Sequence, residues 1–368
     1  MSRRTLTRSG IALAGATAAI VALAGCATEE TAADDTTEAA STAISAERCA
    51  ENEAAGGITF LTGYQYQASA SILDVVAAEE LGYFEDLCLD VEIQPGTGDT
   101  GTNTQLVASD QVQFTSVSQQ NLLQAYDTGI ELVGISSYSN VGLEILMTMP
   151  DIEELSDLDG TILGHKGGLP PAVQAMLDES GADVDSMQQV VVGYDPSILP
   201  RGQVDSLTGF ISNEPNLLAA AGEDVTVWRP YDYGVPSSLG AFAANPEFAA
   251  EHPTVVEDFL RAVFHAFEYC EDNAEECVGY TAELSGEGYD VDHNVNIWNT
   301  ESAIVRDAQP EGTNLGAIDT DNVVAIVDML NDYSLLANDL PEDVALGLFD
   351  TSFVDAIFAD GELVWPAP

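Results

Sequence analysis

The sequence predicts an α/β protein built from two similar units, each a mostly parallel sheet flanked by helices. Three observations carry this. From Gly57 onward, short β-rich runs alternate with segments of helical spacing. Glycine or proline punctuates most of these runs. The body that begins there is about 310 residues long, enough for two domains by the usual size range.

In the first unit, strands are predicted at residues 58–61, 91–93, 112–117 and 132–135. Helices fill the gaps at 69–81, 101–109 and 121–126. Ile72, Val75, Val76 and Ala78 recur at helical spacing, and Gly82 ends that run. Pro95 and Gly96 close the second strand, and Ser118 with Gln119 opens the third helix. The second unit repeats the plan with strands at 143–149, 161–164, 190–193, 206–210 and 225–228. Its helix at 170–180 starts with two prolines and stops at Gly181. Beyond Pro236 the chain reads as mostly helical, with amphipathic stretches at 254–269 and 320–331. Short strands separated by helices imply parallel pairing in layered α/β units.

The amino terminus has the layout of an export signal. Arg3, Arg4 and Arg8 precede an uncharged run from residue 10 to 25. That run is shorter than the roughly 20 apolar residues of a membrane-spanning helix. It ends in Leu23-Ala24-Gly25-Cys26, which resembles the bacterial lipobox, so residues 1–25 are expected to be removed and Cys26 lipidated. The protein is then expected outside the cytoplasm, anchored by lipid to the outer face of the cell membrane. Ser2-Arg3-Arg4-Thr5-Leu6 resembles a twin-arginine signal, and both that route and ordinary secretion stay open. Residues 26–56 are acidic and poor in aliphatic side chains, which predicts a disordered tether.

Charge narrows the partners. The chain carries 62 acidic against 9 basic residues, a formal charge of −53, and three of the nine basic residues lie in the export signal. Nucleic acid is excluded, because phosphate binding needs clustered Lys and Arg. A surface so dense in carboxylates suits a high-salt setting and concerns solubility rather than fold. Setting Cys26 aside leaves Cys49, Cys88, Cys270 and Cys277, which allow three disulfide pairings. Cys270–Cys277 at a helix end and Cys49–Cys88, pinning the tether to the body, are the preferred pair. Zinc is the rival use, but no CxxC pair or neighbouring histidine supports it. No metal or other cofactor is expected.

Several stretches between residues 58 and 262 resemble one known family, in its order. They are Ala77-x-x-x-Leu81-Gly82-Tyr83-Phe84, then Leu89-Asp90-Val91-Glu92-Ile93-x-Pro95-Gly96, then Ser156-Asp157-Leu158-Asp159-Gly160. Leu199-x-x-Gly202-Gln203-Val204-Asp205 and the segment from Asn245 to Ala262 follow. The family is that of ABC-importer solute-binding proteins, which groups thiamine-pyrimidine-precursor binders with nitrate-, sulfonate- and taurine-binding relatives. The resemblance implies a two-lobe type II periplasmic-binding-protein fold with two hinge crossings and a ligand cleft. It places lobe one at 57–148 plus 237–368 and lobe two at 149–236. Gly209-Phe210-x-x-Asn213-Glu214-Pro215 and Pro230-Tyr231-Asp232-Tyr233-Gly234-Val235-Pro236 resemble the pyrimidine-precursor branch. A monomer working with an ABC permease and ATPase is implied.

In such folds ligands sit beyond the carboxyl ends of strands. That rule selects Tyr64, Gln65, Tyr66 and Gln67 after the first strand, and Ser116, Ser118 and Gln119 after the third. Tyr138 follows the fourth, Lys166 and Gly167 lie in a glycine-rich turn, and Tyr194, Asn213 and Glu214 follow later strands. Aromatic faces stack on flat rings and amides read their edges. One of the two serines is expected to cap a helix, and at least one tyrosine to be packed. Only Lys166 among the basic side chains of the body falls at a strand-end loop, whereas anions usually draw paired arginines. A small, flat, neutral or cationic nitrogen heterocycle is therefore the expected ligand, with a thiamine pyrimidine precursor favoured. Riboflavin and a sulfonate- or nitrate-type anion are the alternatives. Rival classes are a pyrimidine-synthase-like enzyme and a ligand-sensing lipoprotein. The four histidines are scattered and no iron-binding cysteine cluster exists, so no catalytic residue is expected.

Overall fold

The computed structural model describes residues 44–368. The expected signal peptide 1–25, the lipidation site Cys26 and residues 27–43 lie outside the described residues. Ten strands build two five-stranded sheets. They are β1 (Gly57–Leu61), β2 (Asp90–Gln94), β3 (Phe114–Val117), β4 (Val133–Ser139) and β5 (Glu144–Thr148). Then come β6 (Ile162–His165), β7 (Gln188–Val191), β8 (Ser206–Phe210), β9 (Thr226–Trp228) and β10 (Leu239–Ala244). The first sheet runs β2-β1-β3-β10-β4 and the second β7-β6-β8-β5-β9.

Each sheet holds one strand antiparallel to its neighbours, β10 in the first and β5 in the second. The chain path requires this. The parallel strands of both sheets end at a shared cleft, so a chain leaving β4 must enter the second sheet from the cleft and run away from it. The return from β9 into β10 repeats the situation in reverse. The two crossings and the mostly parallel sheets match the expected architecture. β5 pairs wholly within the second sheet, so a lobe boundary at 148 falls one strand late.

Three sequence expectations need correction. Residues 46–54 form a helix rather than tether, capped by the Ser45 side chain. Its Arg48 donates to Asp258 at 2.7 Å and to Glu257 at 2.7 Å, and Asn52 donates to Asp258 at 2.7 Å. Cys49 is bonded to Cys88, which fixes the helix to the body. Composition alone misses this, because the helix is held by distant ion pairs rather than by an apolar face. The second correction is β10, a strand inside the region read as helical. Leu239-Gly240-Ala241-Phe242-Ala243-Ala244 has little β propensity, but small side chains suit a strand paired on both edges and nearly all buried. Gly240 has φ +55°, and a Cβ there would lie 2.9 Å from the Tyr138 ring. The third is β4, which runs four residues past its expected end at 135.

The first sheet packs on the helix Pro253–Asp272, whose Phe259 stacks on Phe114 with ring centroids 4.5 Å apart and touches Phe60, Phe84 and Phe242. The second disulfide, Cys270–Cys277, joins that helix to the next one, Ala274–Ser285. Both bridges match the preferred pairing. No helix among the described residues is long and apolar enough to cross a membrane.

Candidate ligand-binding site

A cavity of about 290 Å³ lies between the two sheets. One wall is the segment after β1, from Gly63 and Tyr64 through Gln67 to Ile72. Ser116 and Ser118 extend that wall from the end of β3, and Leu143, Glu144 and residues 238–240 of the two crossings floor it. The facing wall comes from the second sheet: Lys166 after β6, Tyr194 after β7, and Phe210, Ser212, Asn213 and Glu214 at the end of β8. Glu301, from the helix Val291–Asp307, closes one side.

Charge inside the cavity is unevenly matched. The Lys166 ammonium contacts the fully buried Glu214 carboxylate, whose other oxygen accepts the Phe210 N–H at 2.7 Å. Glycine at 209 makes room for this, since a Cβ there would lie 2.7 Å from Glu214 Oε2. Burial pushes Lys166 down to about 8, and the Tyr194 ring lies 5.4 Å from its ammonium. The single basic side chain of the cavity is thus already neutralised. Two further carboxyls remain. Glu301 accepts from Ser69 Oγ at 2.5 Å, the Ala70 N–H at 2.8 Å and Ser212 Oγ at 2.6 Å. Burial raises it to about 7 against those donors. Glu144 has no side-chain partner among the described residues, and burial raises its carboxyl as well.

The structure brings together Tyr64, Gln67, Ser116, Ser118, Lys166, Tyr194, Asn213 and Glu214 from the sequence-selected set. Ser118 also caps the helix Gln119–Asp127, accepting the Asn121 N–H at 3.1 Å. Gln65 and Tyr66 instead line an adjoining open groove of about 540 Å³ that shares Tyr64, Gln67 and Asn213 with the cavity. There the Tyr66 hydroxyl donates to the Ile93 carbonyl at 2.9 Å. Gln119, Tyr138 and Gly167 do not line the cavity. Tyr138 belongs to the longer β4, where its ring stacks on Phe267 and its hydroxyl donates to the buried Asp74. Gln119 turns away toward Asn322, which donates to its amide oxygen at 3.2 Å. Gly167, at φ +104°, shapes the turn beside Lys166.

Sequence reading missed Ser69, Ser71, Glu144, Phe210, Ser212 and Glu301. Glu301 had a legible signal: Asn294, Ile297, Trp298 and Val305 share its helical face, which puts a carboxylate in a buried stripe. Ser71 pairs with Ser116 at 2.5 Å, and no spacing rule links those two positions.

The family described as NMT1/THI5 like matches residues 69–277, more than half of the chain. The chain belongs to the NMT1/THI5-like family. A formylaminopyrimidine-binding protein from Halalkalibacterium halodurans is 27% identical over 209 residues. The match spans 55% of this chain and 63% of that relative, less than two thirds of its length. The periplasmic aliphatic sulphonate binding protein SsuA from Escherichia coli shares the fold at TM-score 0.60 and 12% identity, covering 85% of this chain and 96% of that one. A Candida albicans protein described as showing the generic periplasmic binding protein fold aligns at TM-score 0.56 and 16% identity, over 80% and 95% of the two chains. These likenesses establish for this NMT1/THI5-like chain the periplasmic-binding-protein fold.

Proposed function

We propose that this chain is an extracytoplasmic solute-binding protein, held to the membrane through a lipid on Cys26. It captures a small flat nitrogen heterocycle of the thiamine-pyrimidine type and passes it to an ABC permease and ATPase. The observation that carries this reading is the charge balance of the cavity. Its one ammonium is spent on Glu214, while Glu144 and Glu301 leave an excess of carboxyl groups. A ligand rich in N–H donors, or cationic, meets that excess; a sulfonate or nitrate meets no free cation. Tyr64 supplies a ring face, and Gln67 and Asn213 supply amides for a ring edge. The relative from H. halodurans is named for binding a formylaminopyrimidine, which fits the same chemistry. The relatives are named as binding proteins, which supports capture rather than turnover as the reading.

The test is thermal unfolding of the protein, made in an oxidising compartment and held in molar salt. It is screened against a formylaminopyrimidine, thiamine, riboflavin, taurine and nitrate. A ligand at 100 times its Kd adds about 2.7 kcal/mol of stability. A rise in Tm with the pyrimidine supports the reading. A rise only with taurine or nitrate overturns the ligand class, and no rise with any of the five overturns the reading.

A further inference from the structure

The helix Val291–Asp307 reaches both walls of the cavity. Toward the segment after β1, Asn294 Oδ1 accepts the Ala68 N–H at 3.0 Å, and Glu301 Oε2 accepts the Ala70 N–H at 2.8 Å and Ser69 Oγ at 2.5 Å. Toward the loop after β8, Ser212 Oγ donates to Glu301 Oε1 at 2.6 Å, and His293 Nε2 pairs with Asn213 Oδ1 at 2.8 Å. The two oxygens of one buried carboxyl are therefore divided between the two walls.

The two sets of bonds differ in kind. Those to the first wall include two backbone N–H groups, and breaking them leaves buried backbone donors unpaired. Those to the second wall join side chains only, so they can part while both backbones stay intact. Ser212 and Asn213 also line the cavity, so any opening of the second wall pulls on these two contacts.

We infer that Glu301 is a positioning residue that clasps the closed cleft: anchored to the first wall, it holds Ser212 of the second, and ligand leaves only when that link opens. This rests on the reading of ligand capture between the walls. Substrate contact is not required of Glu301. Its effect passes through Ser212, and the neighbouring His293–Asn213 pair acts as the weaker second point of the clasp.

The experiment uses the full chain as wild type, Ser212→Ala, Glu301→Gln and His293→Ala. Release of a formylaminopyrimidine is followed by stopped flow, and hydrogen exchange at 68–70 and 211–214 is followed without ligand. Ser212→Ala cuts only the second-wall link. It is expected to speed release about tenfold, the worth of one hydrogen bond to a carboxylate, with association little changed. Its amides at 211–214 should exchange faster while those at 68–70 stay protected. Glu301→Gln keeps an acceptor for Ala70 but removes the charge that holds Ser212, so it too should release faster than wild type, and His293→Ala should lie between wild type and Ser212→Ala. Equal release from wild type and Ser212→Ala overturns the clasp while leaving ligand capture standing. If the pyrimidine does not bind wild type, the ligand reading fails. The exchange data then decide the clasp alone, and unchanged exchange at 211–214 in Ser212→Ala overturns it.

Discussion

Under the first sheet, Phe60, Phe84, Phe114, Phe242 and Phe259 interlock with the helix Pro253–Asp272, and both disulfides lie on this side of the molecule. The cluster that belongs to the second sheet alone is Ile145, Met147, Leu199, Val204, Leu207 and Leu218, all without rings. The strand plan is the same in both, but the first is braced by rings, bridges and the buried Asp258 network, and the second by mainly aliphatic packing, with that small cluster on one face and Leu146, Leu163, Val173, Met176 and Leu177 on the other. Opening free energy within a protein follows such differences in buried contact. The second sheet thus lacks the stacked rings and disulfide bridges that brace the first.

Removing the braces of the first half should produce the largest effect. Replacing Cys49 and Cys88 by serine frees a loop of 39 residues, and replacing Cys270 and Cys277 frees one of 7. In the chain-entropy account these cost about 4 and about 2.5 kcal/mol, read as the drop in denaturation midpoint under oxidising conditions. Single core truncations come next. Phe259→Ala, which empties the centre of five packed rings, should cost about 3–5 kcal/mol, and Leu207→Ala in the second sheet should fall near 2 kcal/mol, the low end for leucine. Equal losses would erase the contrast between the halves.

A further effect is a pH dependence carried by one buried carboxyl of the first half. Burial pushes Asp74, which accepts from Tyr138, up from 3.8 to about 7. A carboxyl raised by folding takes up its proton more readily in the folded state. Its stabilising contribution is therefore whole below about pH 4 and is lost as pH rises through about 7. Thermal unfolding of Asp74→Asn, which keeps an acceptor for Tyr138, should fall less than wild type over that window. Parallel curves would remove Asp74 from the account.

How much was legible depended on the range of the interaction that fixes each part. The strand β8 at 206–210 matches its predicted bounds, because alternation and a following turn are local signals. Disulfide partners followed from cysteine positions at a helix end and at a chain entry. Tyr138 was misplaced because β4 continues on the strength of its pairing with β10, a strand whose own residues give no β signal. Gln119 was misplaced because the first residue of a helix can face either way, and a helix 200 residues later decides which. Glu301 and Ser212 meet across 89 positions of chain, a distance no periodicity spans.

By itself the sequence determined the α/β alternation and the scarcity of positive charge, both of which are properties of composition or of neighbours in the chain. Only the tertiary structure decided that Lys166 is neutralised by Glu214, that β5 and β10 run against their sheets, and that one helix holds both cavity walls. Each of those depends on burial and on pairing between distant segments, where the cost of an unpaired polar group or strand edge selects the partner.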